Sequence, residues 1–471
     1  VRAVVVVTPC FNRPDDLRLV LGDLDRIAHA GLCPDRTDRG STNRTAHERL
    51  SLRVIVVDNG SNPALDRVAV PRDLDVRFER LERNLGGSGG YNHGMRLALE
   101  PDPDGVDPEF VWLLDSDARP RPDALAILID AMDRHPDYAL IGSAIADPDT
   151  GELFEIGGRV GRLFATYGPA HNPQRPANKE VVAVRYAAAC SALVRAGALR
   201  QGGPMPDVFL NGDDVEWCIR LQARTGLRIG AARCSIVSHP RFTRIGQTWT
   251  RYFGSRNGFG PIDALGWGPR ARLARAVREL LRATTQAIIG REDLAGLHLR
   301  GLADAAAGRN RARGSLDSLE YEPFHPFEEL ADTLDRLDAS AVGLWLHPGL
   351  ALEPGIAPVF DRALAEAGVD AEPVRRGSMT RTSWSVWPEL PLGLWRLVRG
   401  PKRAIAVLPA HALPDAWACG RIQIMVSPGG YVVRRYSRRR VAVSILGMWT
   451  RGLVPLARLT LGRHRSAPAE R

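Results

Sequence analysis

The sequence predicts an α/β chain: a mostly parallel central sheet flanked by helices, continued by a helical segment and a small α/β extension. Three observations carry this. Short β-branched and apolar runs recur through the first half, AVVVV at 3–7, RVIVVD at 53–58 and FVWLL at 110–114, and continuous apolarity marks strands buried on both faces. Stretches with apolar residues at helical spacing follow these runs, the alternation that builds parallel sheets. The loops closing the runs hold clusters of polar and acidic residues, and in such sheets ligands bind beyond the carboxyl ends of the strands.

Taken in order, AVVVV is the first strand, TPCFNRP the loop after it, and 14–30 a helix with Leu17, Leu21, Leu24 and Ile27 on one face. Residues 33–50 are polar and turn-rich and read as an inserted loop. RVIVVDNGS (53–61) is a second strand ending at Asp58, VRFERL (76–81) a third, NLGGSGG the entry to a helix reaching about 99, and EFVWLLDSD (109–117) a fourth strand ending in acids. PDALAILIDAM opens the next helix. ALIGSAIAD, DTGELFEIGG, the first part of VRYAAACSALVRAGAL and RIGAARCSIVSH read as further strands, and DVEWCIRLQARTG as a short helix. These elements divide the chain into a catalytic-type domain over 1–265, a helical segment over 266–340, a small α/β module over 341–430 (AVGLWL, a helix near 358–368, AIAVLP, RIQIMV) and a basic tail over 431–471.

Composition excludes several classes. The 471 residues give room for about three domains, and 44% hydrophobic with 25% charged residues is ordinary globular composition. The net charge of +9 is local: residues 431–471 hold ten arginines and one acid, Glu470, so the preceding chain is neutral. That pattern argues against a nucleic-acid-binding body and for one anionic partner at the tail. Six cysteines without a CxxC pair give no zinc ribbon or thioredoxin-like site and suggest a reducing compartment. No signal-peptide-like segment precedes the first strand, and no run of apolar residues is long enough to span a bilayer.

Three acidic or imidazole stations bear chemistry. Asp115-Ser116-Asp117 ends an apolar strand, which places two carboxylates near one point, and hard cations such as Mg²⁺ and Mn²⁺ take oxygen ligands. A turn and helix cap before Pro120 and Pro122 is the ordinary alternative. Asp213-Asp214 precedes a helix; it is either a dipole complement or a carboxylate pair in which one acid raises the other's pKa for use as a base. His239 ends a strand and is able to complete a carboxylate metal site. NLGGSGG lacks both the GxGxxG spacing and the P-loop Lys-Ser/Thr, leaving a tight turn or a phosphate-facing helix start.

The order of the pieces resembles that of the inverting glycosyltransferases of family 2, which have the GT-A nucleotide-diphospho-sugar transferase fold. The matching stations are TPCFNRPDDL (8–17), VIVVDNGS (54–61), NLGGSGG (84–90), WLLDSDARPRPDAL (112–125), AAACSALVR (187–195), FLNGDDVEWCIRL (209–221) and the strand ending at His239; RYFGSRN (251–257) resembles the aromatic-Arg-Asn segment that follows. The resemblance covers about residues 1–260. NLGGSGGY is most similar to bacterial galactofuranosyltransferases, with rhamnosyltransferases next. The resemblance implies that Thr8, Pro9, Phe11 and Arg13 hold the nucleotide and that Asp58 reads the uracil or thymine edge. Asn84, Gly86 and Gly87 would flank the nucleotide-sugar. Asp115, Asp117 and His239 would bind Mn²⁺ or Mg²⁺, and Asp214 would be the general base. Asp213 stands where Glu is more usual. Arg256 would lie on the donor or acceptor side. Trp217 and the loop with Trp249 would either contact sugar or pack. The large polymerising galactofuranosyltransferases carry an N-terminal β-rich domain that has no counterpart here, and nothing after about 341 matches.

The expected function is therefore metal-dependent, inverting transfer of galactofuranose from UDP-galactofuranose to a lipid-linked or polymeric glycan in cell-envelope polysaccharide synthesis. A dTDP-rhamnose-dependent rhamnosyltransferase is the same-class alternative, and a catalytically silent membrane-associated scaffold the alternative of another class. A nucleotidyltransferase would need a Gly-rich basic loop after the first strand, and TPCFNRP is not one. The tail, with Trp449 and leucines among arginines, reads as an interfacial segment on an anionic membrane, with a solvated tail packed on its own domain as the alternative. It has no aromatic-rich nucleic-acid motif. The expected location is cytoplasmic, peripheral on the inner face of the plasma membrane.

Overall fold

The four valines at the start of the chain lie inside a sheet covered on both sides. In strand β1 (Arg2–Cys10), Val4 and Val6 pack into one apolar layer and Val5 and Val7 into the other, all of them buried. The structure is a computed structural model that describes residues 2–31, 49–101, 105–162, 165–173, 180–240, 250–288, 291–309, 325–337, 344–346, 357–368, 371–373, 403–409, 420–427, 430–435 and 437–461. The inserted loop read at 33–50 lies almost wholly outside these residues, as does Trp249.

The chain divides into two compact units. The first holds the described residues from Arg2 to Pro240 together with Asn257–Gly268. Its strands are β1, β2 (Leu50–Asp58), β3 (Asp75–Arg80), β4 (Phe110–Leu114), β5 (Arg119–Pro120), β6 (Tyr138–Ala146), β7 (Leu153–Glu155), β8 (Gly158–Gly161), β9 (Thr166–Pro169), β10 (Val181–Val184), β11 (Ser191–Arg195) and β12 (Arg228–Ser238). The main sheet runs β10-β12-β6-β11-β4-β1-β2-β3, with β5 on β12 and β7 on β6; β8 and β9 form a separate hairpin. Strands β3, β2, β1 and β4 are mutually parallel, β11 is antiparallel to β4 and β6, and β12 is parallel to β6. The expected fold class, a mostly parallel sheet between helical layers, is the one observed.

Helices α1 (Pro14–Ala30) and α3 (Ala124–Arg134) cover one face; α2 (Gly86–Ala98), α4 (Ala196–Gly202) and α5 (Asp213–Thr225) cover the other. Helix α1 begins with proline, whose missing N–H is not needed in a first turn, and buries Leu17, Val20, Leu21, Leu24 and Ile27 along one stripe. Helix α2 reaches close to β1 because position 94 is glycine: a Cβ there would lie 2.3 Å from Val7 Cγ1.

The second unit contains most of α6 (Thr250–Asn257) and, beyond the short α7 (Gly260–Ala264) of the first unit, α8 (Gly268–Ile288), α9 (Glu292–Ala306) and a five-stranded sheet. That sheet is ordered β14-β13-β15-β16-β17, from β13 (Leu344–Leu346), β14 (Ala371–Pro373), β15 (Arg403–Pro409), β16 (Gly420–Ser427) and β17 (Gly430–Arg435). Two expected boundaries change. The helix Leu330–Arg336, placed by sequence in the helical segment, packs in the sheet's core through Leu330 and Leu334. The cut at 430/431 falls inside the β16–β17 hairpin, where Tyr431 is fully buried and exchanges main-chain hydrogen bonds with His325. An aromatic residue in an arginine-rich stretch still prefers burial, so the basic tail starts only with the helix Arg438–Leu461. RYFGSRN also moves: Arg256, assigned by sequence to the first domain, belongs to the second unit.

The second unit has a polar core. Glu279 is fully buried, with Arg275 Nε at 3.1 Å, Arg278 Nη1 at 2.9 Å and His298 Nδ1 at 3.0 Å, and accepts a 2.8 Å hydrogen bond from Ser255. Burial opposes its charge, but the arginines and His298 hold its carboxyl well below the usual range. Breaking a buried pair leaves uncompensated charge and costs about 3–5 kcal/mol. Glu279→Gln is therefore expected to lower the urea midpoint of the chain by that order of stability, with little change if the pairs are dispensable.

Candidate functional site

The site forms where β1, β2 and β4 end together. Their parallel register aligns Cys10 with Asp58 and Val7 with Leu113, so the loops after them emerge on one edge, the position at which α/β sheets bind ligands. Asparagines stitch these loops. Asn12, in the left-handed region at φ 55°, accepts a hydrogen bond from Asn62 N at 2.8 Å, and its own N–H donates to Ser61 Oγ at 2.9 Å. Asn59 accepts from Leu85 N and donates to Gly86 O, both at 2.9 Å, which joins the loop after β2 to the start of α2.

The Asp-Ser-Asp turn follows β4 directly. Strand β12 pairs antiparallel with Arg119–Pro120, two residues beyond Asp117, and this register delivers His239 beside the turn. His239 Nε2 lies 3.4 Å from Asp115 Oδ2 and 3.2 Å from Asp117 Oδ1, and one ligand atom from each of the three residues lies within 4.8 Å of the others. Nδ1 donates to Pro240 O at 2.8 Å, which directs Nε2 at the carboxylates. Burial works against the imidazolium, but the hydrogen bonds and charge of Asp115 and Asp117 outweigh it and raise its pKa to about 10. Burial also opposes the Asp117 carboxylate, and His239 and Arg13 overcome that and lower its pKa. Arg13 Nη1 sits 2.9 Å from Asp117 Oδ2. Two carboxylates and an imidazole whose ligand atoms lie this close together are a donor set suited to Mn²⁺ or Mg²⁺. Nε2 would give up its proton to become a ligand.

The second acidic pair opens α5. Gly212 adopts φ 88° just before the helix, and Asn257 Nδ2 donates to the carbonyls of Val208, Leu210 and Asn211 at 3.2, 2.7 and 3.0 Å, holding this turn from outside. Burial and then the Asp214 charge raise the pKa of Asp213 to about 7. Asp214 rises to about 6, again mainly through burial, against hydrogen bonds from the Val215 and Ala189 backbone and with Asp115 adding to the rise. Glu155, on β7, is raised to about 7 by burial and by Asp214. These acids sense one another, so the first unit gathers surplus negative charge at this edge.

The remaining expected residues fall in two groups. Phe11 is 39% exposed, and Arg13 borders the cluster. Asn84 accepts from Gly86 N at 2.8 Å and shapes the turn; Gly86 sits at φ 75° with its Cα so close to Phe209 O that a Cβ would fall 2.1 Å away, and Gly87 faces Asp213. Pro9 packs against Gly90. Four residues named in the sequence lie buried. Thr8 is fully buried at the end of β1. Asp58 is 3% exposed and accepts from Ser61 N, Leu65 N and Arg80 Nη1, so it organises its own loop. Trp217 is 1% exposed, in the core, with Nε1 donating to Gly203 O, so of its two readings packing is the one observed. Arg256 is 1% exposed in the second unit, its guanidinium over the rings of Tyr252 and Phe253.

Sequence reasoning missed Tyr91, Asn59, Asn257 and Glu155. Tyr91, buried on α2, donates to Asp115 Oδ1 at 2.6 Å, leaving Oδ2 toward His239. It closes the NLGGSGGY stretch, so the motif was visible and its tie to the acidic turn was not.

Residues 5–202 match glycosyl transferase family 2. The match ends before Asp214 and His239. Galactofuranosyltransferase GlfT1 of Mycobacterium tuberculosis is 31% identical over 214 residues, 44% of this chain and 66% of the relative. Galactofuranosyltransferase GlfT2 of the same species is 24% identical over 390 residues, 76% of this chain and 56% of the relative. The chain thus spans a little under two thirds of the length of the first and just over half of the second. A crystal structure of GalNAc-T7 with UDP, GalNAc and Mn²⁺ is 14% identical at a TM-score of 0.38, covering 55% of this chain and 51% of that one.

Two outcomes follow from the site. Groups that orient a metal ligand set affinity, so Tyr91→Phe is expected to weaken Mn²⁺ binding about ten-fold by calorimetry, with an unchanged melting temperature. Equal affinity would remove Tyr91 from the site. Asp213 has a folded pKa of about 7 against an ordinary 3.8. The folded state therefore binds a proton that the unfolded chain releases, and stability is lost as pH rises through that window. Asp213→Asn is expected to melt higher than the parent above the window, the difference shrinking as pH falls through it.

Proposed function

We propose that this chain is an inverting, divalent-cation-dependent glycosyltransferase that transfers galactofuranose from UDP-galactofuranose to a lipid-linked glycan acceptor in cell-envelope polysaccharide synthesis. The observation that carries the reading is the cluster of Asp115, Asp117 and His239 at the same sheet edge as a second carboxylate pair with raised pKa values. One group suits a cation and its diphosphate, the other a proton. The family domain supports the reaction class, and the galactofuranosyltransferase relatives support the sugar.

Asp115, Asp117 and His239 would hold the cation, which, when bound, supplies positive charge that offsets charge developing on a diphosphate leaving group. Arg13, half-exposed beside Asp117, adds a fixed cation at the same place. The loops joined by Asn12 and Asn59 orient the nucleotide. Asp214 accepts the acceptor hydroxyl's proton as that oxygen attacks the anomeric carbon from the face opposite the leaving group, so configuration inverts in one displacement and no enzyme nucleophile is needed. Its pKa, raised to about 6, keeps it ionised at neutral pH yet more basic than an ordinary aspartate. Burial holds it there, with the charge of Asp115 adding to the rise.

Asp214→Asn is expected to lower kcat by about 10²–10⁴-fold while UDP binding persists. Because the base must be ionised, kcat/KM of the parent should rise with pH through about 6 and then level. Donor choice is read by assaying transfer from UDP-galactofuranose and dTDP-rhamnose with Mn²⁺ or Mg²⁺. Turnover only with the rhamnose donor would replace the sugar assignment. Equal activity of Asp214→Asn would refute the base, and no transfer by the parent with any donor would favour a silent scaffold.

A further inference from the structure

The helix Arg438–Leu461 presents two unlike faces. On one, Val441, Met448 and Leu459 are buried and Gly452 lies against Leu280 of α8. Trp449 Nε1 donates to Thr284 Oγ1 at 3.1 Å, Ser444 donates to Glu292 at 3.2 Å, and Arg272 Nε donates to Leu459 O at 3.1 Å. These contacts seat the helix on α8 and α9. They also correct the expectation that Trp449 inserts into a bilayer, since its indole is engaged inward.

The other face is apolar and open. Val443, Leu446, Leu453 and Val454 are 64%, 69%, 55% and 57% exposed. At about 100° per residue these four positions fall within a stripe roughly 100° wide. Thr450 and Ala457 lie in the same stripe, Arg451 and Arg458 flank one side of it, and Arg439 stands at its beginning, all exposed. No acidic residue occurs between 430 and 461. Exposed large apolar side chains gathered on one helix mark an interaction surface. A second protein would be free to present either charge, but this ridge combines aliphatic tips with cations alone. Aliphatic insertion to a shallow depth with arginines at the headgroup level is how an amphipathic helix lies in a membrane interface. Among the described residues no helix is long and apolar enough to cross a membrane, and Pro455 interrupts this one.

We infer that the exposed face of Arg438–Leu461 docks this chain on an anionic lipid bilayer, with Val443, Leu446, Leu453 and Val454 inserted and Arg439, Arg451 and Arg458 on the lipid headgroups. The helix stays folded on α8 and α9 when it binds, as a preformed plate rather than a tail that folds on contact. The inference does not depend on the transferase reading and places the chain at the surface where a lipid-linked acceptor resides.

The test is sedimentation of the full chain with phosphatidylglycerol-containing and pure phosphatidylcholine vesicles. Each arginine near an anionic leaflet strengthens association by roughly five-fold, so replacing Arg439, Arg451 and Arg458 by Gln should weaken binding to the anionic vesicles about a hundred-fold. Leu446→Glu with Leu453→Glu should abolish it. Both variants change exposed positions, so melting temperature and UDP binding should match the parent. Equal sedimentation of parent and variants, or equal binding of the parent to both vesicle types, overturns the proposal. Concentration-dependent dimerisation of the parent that the Leu-to-Glu variant loses, without any vesicle binding, overturns it in favour of a second copy as the occupant.

Discussion

Like charges crowded into a half-buried edge are the constraint around which the first unit is arranged. Burial and neighbouring acids raise the cost of ionising Asp213, Asp214 and Glu155, while His239 and Arg13 pair with the nearby Asp-Ser-Asp turn. A fold would not retain such a group for stability alone, because removing charge from water is expensive unless it is paired. The arrangement makes sense as a place prepared for a cation, and the price is local stability at neutral pH.

Holding that geometry falls to side chains bonded to the main chain and to the acids themselves. The Asn12–Asn62 and Asn59–Gly86 bonds join three loops that belong to different strands. Asn257 gathers three carbonyls of the turn before α5, and Tyr91 fixes one oxygen of Asp115. Side-chain amides suit this work because each offers a donor and an acceptor and so satisfies main-chain groups that strand and helix ends leave over. Asp58 is the same solution with a carboxylate, which is why it is withdrawn into its loop.

In the second unit the same physics serves a different end. Glu279 is ringed by arginines and His298, a polar core inside helices that look, in sequence, like a simple alternation of Leu and Ala with Arg and Glu. The surface of that unit reverses the usual order: arginines lie buried among α8, while leucines and valines stand in solvent on the last helix. That inversion separates a face used for cohesion from one available to a partner.

Much was legible beforehand. The span of α1, the mostly parallel sheet implied by buried β-branched runs, and the positions of Asp115, Asp117, Asp214 and His239 at strand and helix ends all follow from patterns a few residues long, since periodicity and chain polarity act locally. The positive charge could also be located from counting alone. What the sequence by itself determined was therefore the kind of fold and the residue types of its site. Tertiary structure alone decided which nearby residues reach the site and which do not. Thr8, Asp58 and Trp217 sit in the right motifs but turn inward, because strand alternation, loop hydrogen bonds and the packed face of α5 set their direction. Tyr91 and Glu155 arrive from separate elements through packing. The basic tail divides between a buried strand at Tyr431 and a helix whose exposed side is apolar. Burial is a property of what lies opposite a residue, and a linear pattern does not say what that will be.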